Sequence, residues 1–298
     1  MYTRTLIPLD GSKVAEQVLP YARFLVRALG IPVELLGVVD PDVLVPFSNP
    51  AQGRHLDTLV AETTSRTATY LDTTARSFQG PQVKCSVEKG KPEDAIIEKA
   101  ALDPNTLIVM ATHGRSGIQR WLLGSVTDKV LHGSTHHLFL VRASDQGKTD
   151  GESALKTVIL PLDGSTLAEQ PLPHVVDLAQ KMKLGVVLVR AYALPPTISA
   201  EDYGYYSADL LDQLESEARE YLQGKVNEVK QRGVERVTSV VTTGYGAEEI
   251  ITLARNTAEN FVAMCTHGRS GIKRWVWGSV TDRVVRHSGD PVLIIRAA

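Results

Sequence analysis

The residues of this chain best suited to do chemistry stand in MATHGRSGIQRWLLGSVTDKVL, residues 110–131, and the passage occurs twice. Residues 264–285, MCTHGRSGIKRWVWGSVTDRVV, agree with it at 16 of 22 positions. Each copy brings a histidine, an arginine, paired glycines and a closing Gly-Ser-Val-Thr. Four chemistries use such parts. A Walker A loop needs Gly, four residues and Gly-Lys-Ser/Thr; the one Gly-Lys-Thr is Gly147–Thr149, and Arg142 stands where the first glycine belongs. A Rossmann fingerprint needs Gly-x-Gly-x-x-Gly after the first strand. Only Asp-Gly-Ser follows it here, and Gly244-Tyr245-Gly246 has no third glycine. A nucleophile elbow needs Gly-x-Ser-x-Gly, and in Gly114-Arg115-Ser116-Gly117 the second glycine comes one residue early. His113 or His267 would have to serve as base, with little else of a triad in sight. Metal binding fares no better: His136-His137 aligns with Asp290-Pro291, and His113 and His267 lack ligands at metal spacing.

Phosphate cradling uses the parts best. Gly114 and Gly268 let backbone N–H groups turn toward an anion with no Cβ in the way. Ser125-x-x-Asp128 and Ser279-x-x-Asp282 read as capping boxes with serine as N-cap, each opening a helix just after Gly124 or Gly278. A helix start offers unpaired N–H groups and the positive end of a dipole.

The elements that must position these residues also repeat. RTLIPLDGS (4–12) and KTVILPLDGS (156–165) each read as a buried strand and a turn. Residues 13–29 and 166–183 carry helical spacing, with Val14, Val18, Leu19, Ala22 and Leu25 on one stripe. Strands follow at 33–40 and 185–194, then loops (PDVLVPFSNPAQGRH and PPTISAEDYGYYS) long enough to be functional. The second loop holds Tyr203, Tyr205 and Tyr206, which either flank a ligand or pack locally. Long helices are expected at about 56–78 and 208–232, then a strand, a shorter helix, the strand that enters the glycine passage, and a last helix and strand. Strands alternating with helices imply right-handed crossovers and a parallel sheet covered on both faces.

The repeat offset of 154 residues exceeds solenoid periods, so each copy is a domain: residues 1–143 and 155–298, joined by a polar linker at 144–154. The fold class is therefore α/β, two tandem domains, each an open five-stranded parallel sheet with helices on both faces, Rossmann-like. In such a sheet a ligand lies beyond the strand carboxyl ends where strand order reverses. With the first and fourth strands adjacent, Asp10 meets Met110 and Asp163 meets Met264. The aspartates either accept hydrogen bonds from a ribose or adenine, or form Asx turns capping the next helix; both readings stand.

A formal charge of −2 with no basic run leaves out a nucleic-acid partner. The start is too short in apolar residues for a signal peptide, and no segment reaches the roughly 20 apolar residues of a membrane span. Neither membrane nor nucleic acid is expected as a partner. Cys85 and Cys265 fall at unrelated points of the repeat, which suits two small buried hydrophobes in a reducing cytoplasm.

With its Pro-Leu-Asp strand endings and the spacing Gly114, nine residues, Gly124-Ser125 (Gly268, nine residues, Gly278-Ser279), the chain resembles the universal stress proteins in their tandem two-domain form, over nearly its whole length. It departs from their Gly-x-x-Gly signature at the first glycine, where Ala111 and Cys265 stand. The resemblance implies the adenine nucleotide alpha-hydrolase-like version of the fold and an adenine nucleotide, ATP with or without Mg2+, as cofactor. Asp10 with Val38, and Asp163 with Ala191, would hold the nucleoside against Met110 and Met264. The glycine loops (Ala111, Gly114, Arg115; Cys265, Gly268, Arg269) and the closing segments (Gly124, Ser125, Val126, Thr127; Gly278, Ser279, Val280, Thr281) would take phosphates and ribose. It further implies a homodimer and a cytoplasmic, non-enzymatic stress-response regulator with no catalytic residues. The alternatives are a slow ATPase or nucleotidyl-transfer enzyme on the same fold, or a scaffold whose nucleotide is structural. The first site is expected to bind more tightly, because Val38 offers more apolar contact than Ala191 and Cys265 crowds the second phosphate path. Arg190 and Tyr192, its strand neighbours, are expected to point away.

Overall fold

A computed structural model describes residues 2–49, 51, 55–80, 82–112, 123–143, 147–193, 207–266 and 278–297. The chain divides into two units, Met1–Ala154 and Leu155–Ala298.

In the first unit, β1 (Arg4–Pro8) buries Thr5, Leu6 and Ile7. The single helix expected over 13–29 is two: α1 (Lys13–Glu16) and α2 (Leu19–Leu29). The cause is Pro20, which has no N–H for a bond to the carbonyl four residues back but suits a first helical turn. The apolar spacing runs straight across this break, through bonds from Gln17 N to the Val14 carbonyl and from Val18 N to that of Ala15. Next comes β2 (Val33–Val39), buried at six of its seven residues. The expected loop then begins with a short helix α3 (Pro41–Leu44), capped by the Asp40 carboxylate, and a tight turn at Val45–Phe47. After these come α4 (Leu56–Ala75), β3 (Val83–Lys89), α5 (Pro92–Ala101), β4 (Thr106–Ala111), α6 (Ser125–Gly133) and β5 (His137–Val141).

The strand order in this unit is β3-β2-β1-β4-β5, all parallel. The chain moves outward from β1 to β3, then returns to lay β4 on the other side of β1. Right-handed crossovers in opposite directions put α2 and α4 on one face and α5 and α6 on the other. Strand order therefore reverses between β1 and β4, and a crevice opens at their carboxyl ends.

At the far end of the sheet, Glu34 of β2 is buried and accepts from Arg4 Nη1 (2.8 Å) and Ser86 Oγ (2.9 Å), with Lys99 Nζ at 3.4 Å. Burial alone would raise its pKa, but the Ser86 hydroxyl, Lys99 and Lys84 outweigh that and hold it below the ordinary carboxylate value. His136 and His137 serve packing: His136 Nε2 is 3.1 Å from the Asp103 carbonyl and His137 Nδ1 is 2.9 Å from the Tyr2 hydroxyl. Residues 147–154 lie with the first unit, where Arg23 Nη1 donates to the Thr149 and Gly151 carbonyls and Ser153 N to that of Pro20.

The second unit repeats the plan with β6 (Thr157–Pro161), α7 (Thr166–Glu169), α8 (Leu172–Met182), β7 (Gly185–Tyr192), α9 (Ser207–Gln231), β8 (Val237–Thr243), α10 (Gly246–Asn256), β9 (Asn260–Thr266), α11 (Ser279–His287) and β10 (Val292–Arg296). Its order is β8-β7-β6-β9-β10, again parallel. Its first helix is divided too, by Pro171 and Pro173. Among the described residues no helix is long and apolar enough to cross a membrane.

Candidate functional site

Asp10 follows β1 at the crevice. Its Oδ1 accepts from Ser12 N (2.9 Å) and Ser12 Oγ (2.6 Å), while Ser12 Oγ accepts from Ala15 N and so caps α1. Gly11, between them, has φ +76°, a left-handed conformation that needs glycine. The Asx-turn reading of Asp10 is therefore correct, and it fixes the carboxylate at the mouth of the crevice. Asp163 and Ser165 repeat the turn, with Ser165 N 2.8 Å from Asp163 Oδ1.

β4 brings Met110 and Ala111 to the same end, both buried. Pairing of Leu6 with Ile108 sets β1 and β4 side by side. The closing segment is tied to the end of β4: Gly124 N donates to the Thr112 carbonyl (2.8 Å) and Thr127 Oγ1 to the Ala111 carbonyl (3.0 Å). In the second unit Thr281 Oγ1 reaches the Cys265 carbonyl at 3.3 Å, and Met264 is likewise buried. One expectation is corrected. The N-caps are Gly124 and Gly278, not Ser125 and Ser279, and neither glycine supplies a side-chain cap. Ser125 and Ser279 stand exposed in the first turn, beside Val126 and Val280. The first-turn N–H groups are thus left without the side-chain acceptor that most helix starts possess, an arrangement open to an anion.

Beyond the β1–β2 ends lies a cavity of about 510 Å3 bounded by Leu9, Asp10, Gly11 and Val38 on the strand side and by Thr63, Arg66, Thr67 and Tyr70 on α4. That volume is within the usual range for small-molecule pockets, roughly 300–1,000 Å3. The four α4 residues were missed in the sequence, although Thr63, Thr67 and Tyr70 recur at helical steps of four and three. Gly37, on β2, allows α4 to come close, since a Cβ there would overlap the Thr67 methyl. The Tyr70 hydroxyl is buried and makes no well-formed hydrogen bond. Burial, and then the nearby Glu16 carboxylate, push this phenol above its ordinary pKa, so it stays protonated and able to donate.

The second unit differs. Arg190, aligned with Gly37, does not point away: its guanidinium lies 5.0 Å over the Tyr221 ring. Tyr221-Leu222 on α9 matches Tyr70-Leu71 on α4, Leu71 and Leu222 being fully buried and each tyrosine facing a matched glutamate, Glu169 or Glu16. Tyr221 donates to Glu169 at 2.6 Å, and Lys225 Nζ lies 2.7 Å from the same carboxylate. Burial would raise Glu169, but Lys225 and Tyr221 hold it below the usual value. Tyr192 donates to Glu215 of α9 at 3.0 Å. Ala191, which replaces Val38, is half-buried.

Cys85 and Cys265 are free and half-buried rather than fully buried, and burial pushes both thiols up to about 11. Gly114, Arg115, Gly268 and Arg269, the heart of the expected phosphate loops, lie outside the described residues, as do His113, His267, Tyr203, Tyr205 and Tyr206.

Comparison with known proteins returns one family, described as the universal stress protein family, matching residues 1–142 and again 154–296. A universal stress protein of Methanocaldococcus jannaschii is 24% identical over 147 residues, covering 49% of this chain and 85% of its own. One from Methanothermobacter thermautotrophicus is 30% identical over 147 residues, covering 48% of this chain and 97% of its own. Among solved structures, a universal stress protein of Archaeoglobus fulgidus covers all of both chains with a TM-score of 0.72 at 18% identity, a likeness of fold.

Proposed function

The chain belongs to the universal stress protein family in both of its halves, and from that premise we propose that it is an adenine-nucleotide-binding regulator without catalytic turnover. The observation that carries the reading is the first unit's cavity at the sheet's carboxyl end, where the turn-fixed Asp10, Val38 and the Tyr70 phenol border one space. Asp10, fixed by its turn, supplies an acceptor for ribose hydroxyls or an adenine amino group. Val38 borders the same space.

The phosphates fit the start of α6. Its glycine N-cap brings no competing side chain, and the Thr127–Ala111 bond holds its first turn against β4. Arg66, exposed at the cavity mouth, adds positive charge. ATP, with or without Mg2+, satisfies this set of donors. Turnover is not part of the proposal, because Asp10, the one acidic side chain among the described residues lining the cavity, accepts from Ser12 N and Oγ in its turn rather than standing poised as a base. Homodimerisation and a cytoplasmic setting belong to the same reading on the family resemblance alone. Bound nucleotide would act by biasing the shape or partner surface of the protein.

Mass spectrometry of the small molecule released when the purified chain is denatured, together with steady-state phosphate release from ATP, tests this. The proposal expects an adenine nucleotide and no release above buffer. A ligand of another class contradicts the binding reading, and sustained phosphate release replaces the regulator with a slow ATPase.

A further inference from the structure

The two units treat one space in opposite ways. In the first, Gly11 and Tyr70 both border the open cavity. In the second, their counterparts Gly164 and Tyr221 have the Arg190 guanidinium between them. It stacks 5.0 Å over the Tyr221 ring, and both of its terminal nitrogens lie 3.7 Å from where a Cβ on Gly164 would stand. Two differences in the repeat make this arrangement: Gly37 becomes Arg190, and Thr67, whose methyl leaves no room for a side chain at residue 37, becomes Ala218.

The polar groups change in the same direction. The Tyr70 hydroxyl lies beside Glu16 without a well-formed bond, whereas the Tyr221 hydroxyl donates to Glu169 at 2.6 Å, and Lys225 pairs with that carboxylate. A guanidinium on an aromatic face beside a carboxylate-lined turn is a stable resident, since the ring face attracts the cation. Displacing it would break that contact and set a positive charge against an incoming base.

We infer that Arg190 is a built-in plug, the residue that denies the second unit a nucleoside, so that the chain takes one adenine nucleotide and takes it in the first unit. This rests on the nucleotide reading above and deepens it. The second unit keeps the aspartate turn and the glycine-capped helix but has its nucleoside space filled by its own side chain.

Calorimetric titration of the full chain with ATP tests the inference. The wild type is expected to bind one equivalent. Arg190→Gly, which copies the first unit, is expected to bind two, the added site at least tenfold tighter than any residual binding there in the wild type. Arg190→Ala serves the same purpose should glycine loosen β7. Gly37→Arg combined with Thr67→Ala moves the plug into the first unit and should abolish binding in a protein whose circular dichroism is unchanged. Two equivalents on the wild type overturn the inference, as does a single equivalent on folded Arg190→Gly and Arg190→Ala. Absence of binding by every protein contradicts the nucleotide reading itself, and the plug with it.

Discussion

Thr127 Oγ1 donates to the carbonyl of Ala111 across 3.0 Å, fastening the first turn of α6 to the last residue of β4. Thr127 is 3% exposed, so the bond is made in a dry setting and the carbonyl has no water to turn to. Thr127→Val keeps the shape and removes the donor. It is expected to lower stability by about 1–2 kcal/mol, read as a shift of the urea midpoint with unchanged slope, and to weaken ATP binding because the helix start loses its anchor.

Replacing the two matched tyrosines should have opposite effects on the empty protein. Tyr70→Phe removes a buried hydroxyl without a well-formed bond and should leave stability equal or raise it by about 1 kcal/mol, while weakening ATP binding. Tyr221→Phe takes a bond from Glu169 and should cost about 1–2 kcal/mol with no effect on ATP affinity. Thermal unfolding of both variants, with and without ATP, checks the pair. Equal effects would remove the distinction between the units.

At the start of α6, where the proposal seats the phosphates, Gly124 has φ −60° and ψ 145°, an extended conformation that any residue adopts. Gly124→Val should therefore fold, yet set a branched side chain where a phosphate meets the first-turn N–H groups. Loss of ATP binding with retained circular dichroism is the expected result. Full affinity would move the phosphates elsewhere.

Much of this was legible in the sequence. Apolar runs such as Leu107–Met110 gave the parallel strands, and the glycine spacing gave the helix starts. The break between α1 and α2 was hidden because Val14, Val18 and Leu19 keep one apolar stripe across it, and a proline is welcome in a first turn as well as disruptive in a later one. Thr63, Arg66, Thr67 and Tyr70 escaped because polar residues on a long helix look like a solvated face until the helix is seated on β2. For Arg190 the alternation was right and the face was wrong. Arg190 and Tyr192 share one side of β7, but a single strand does not reveal which side carries the cavity.

Away from the site, Glu34 should set part of the acid limb of stability. Its folded-state pKa is lowered, so its contribution is present above the ordinary carboxylate value and is lost as pH falls through the folded value. Glu34→Gln leaves Arg4 and Lys99 facing a neutral amide and should cost about 1–3 kcal/mol at pH 7. The gap between wild type and variant should begin to narrow as pH falls below the ordinary glutamate value and close only below the lowered folded value, as followed by urea unfolding across pH. A gap independent of pH would show that the charge is not what stabilises.

Nucleotide recognition by the first unit is most directly tested by thermal unfolding of the full chain with millimolar ATP, with and without Mg2+, beside Asp10→Ala. A ligand at about 100 times Kd adds roughly 2.7 kcal/mol to the folded state, a rise of several degrees in Tm for domains of this size. The wild type should show that rise. Asp10→Ala, already less stable for want of its Ser12 turn, should show none. An unmoved wild-type Tm, or an equal rise in Asp10→Ala, would contradict a nucleotide held at this crevice.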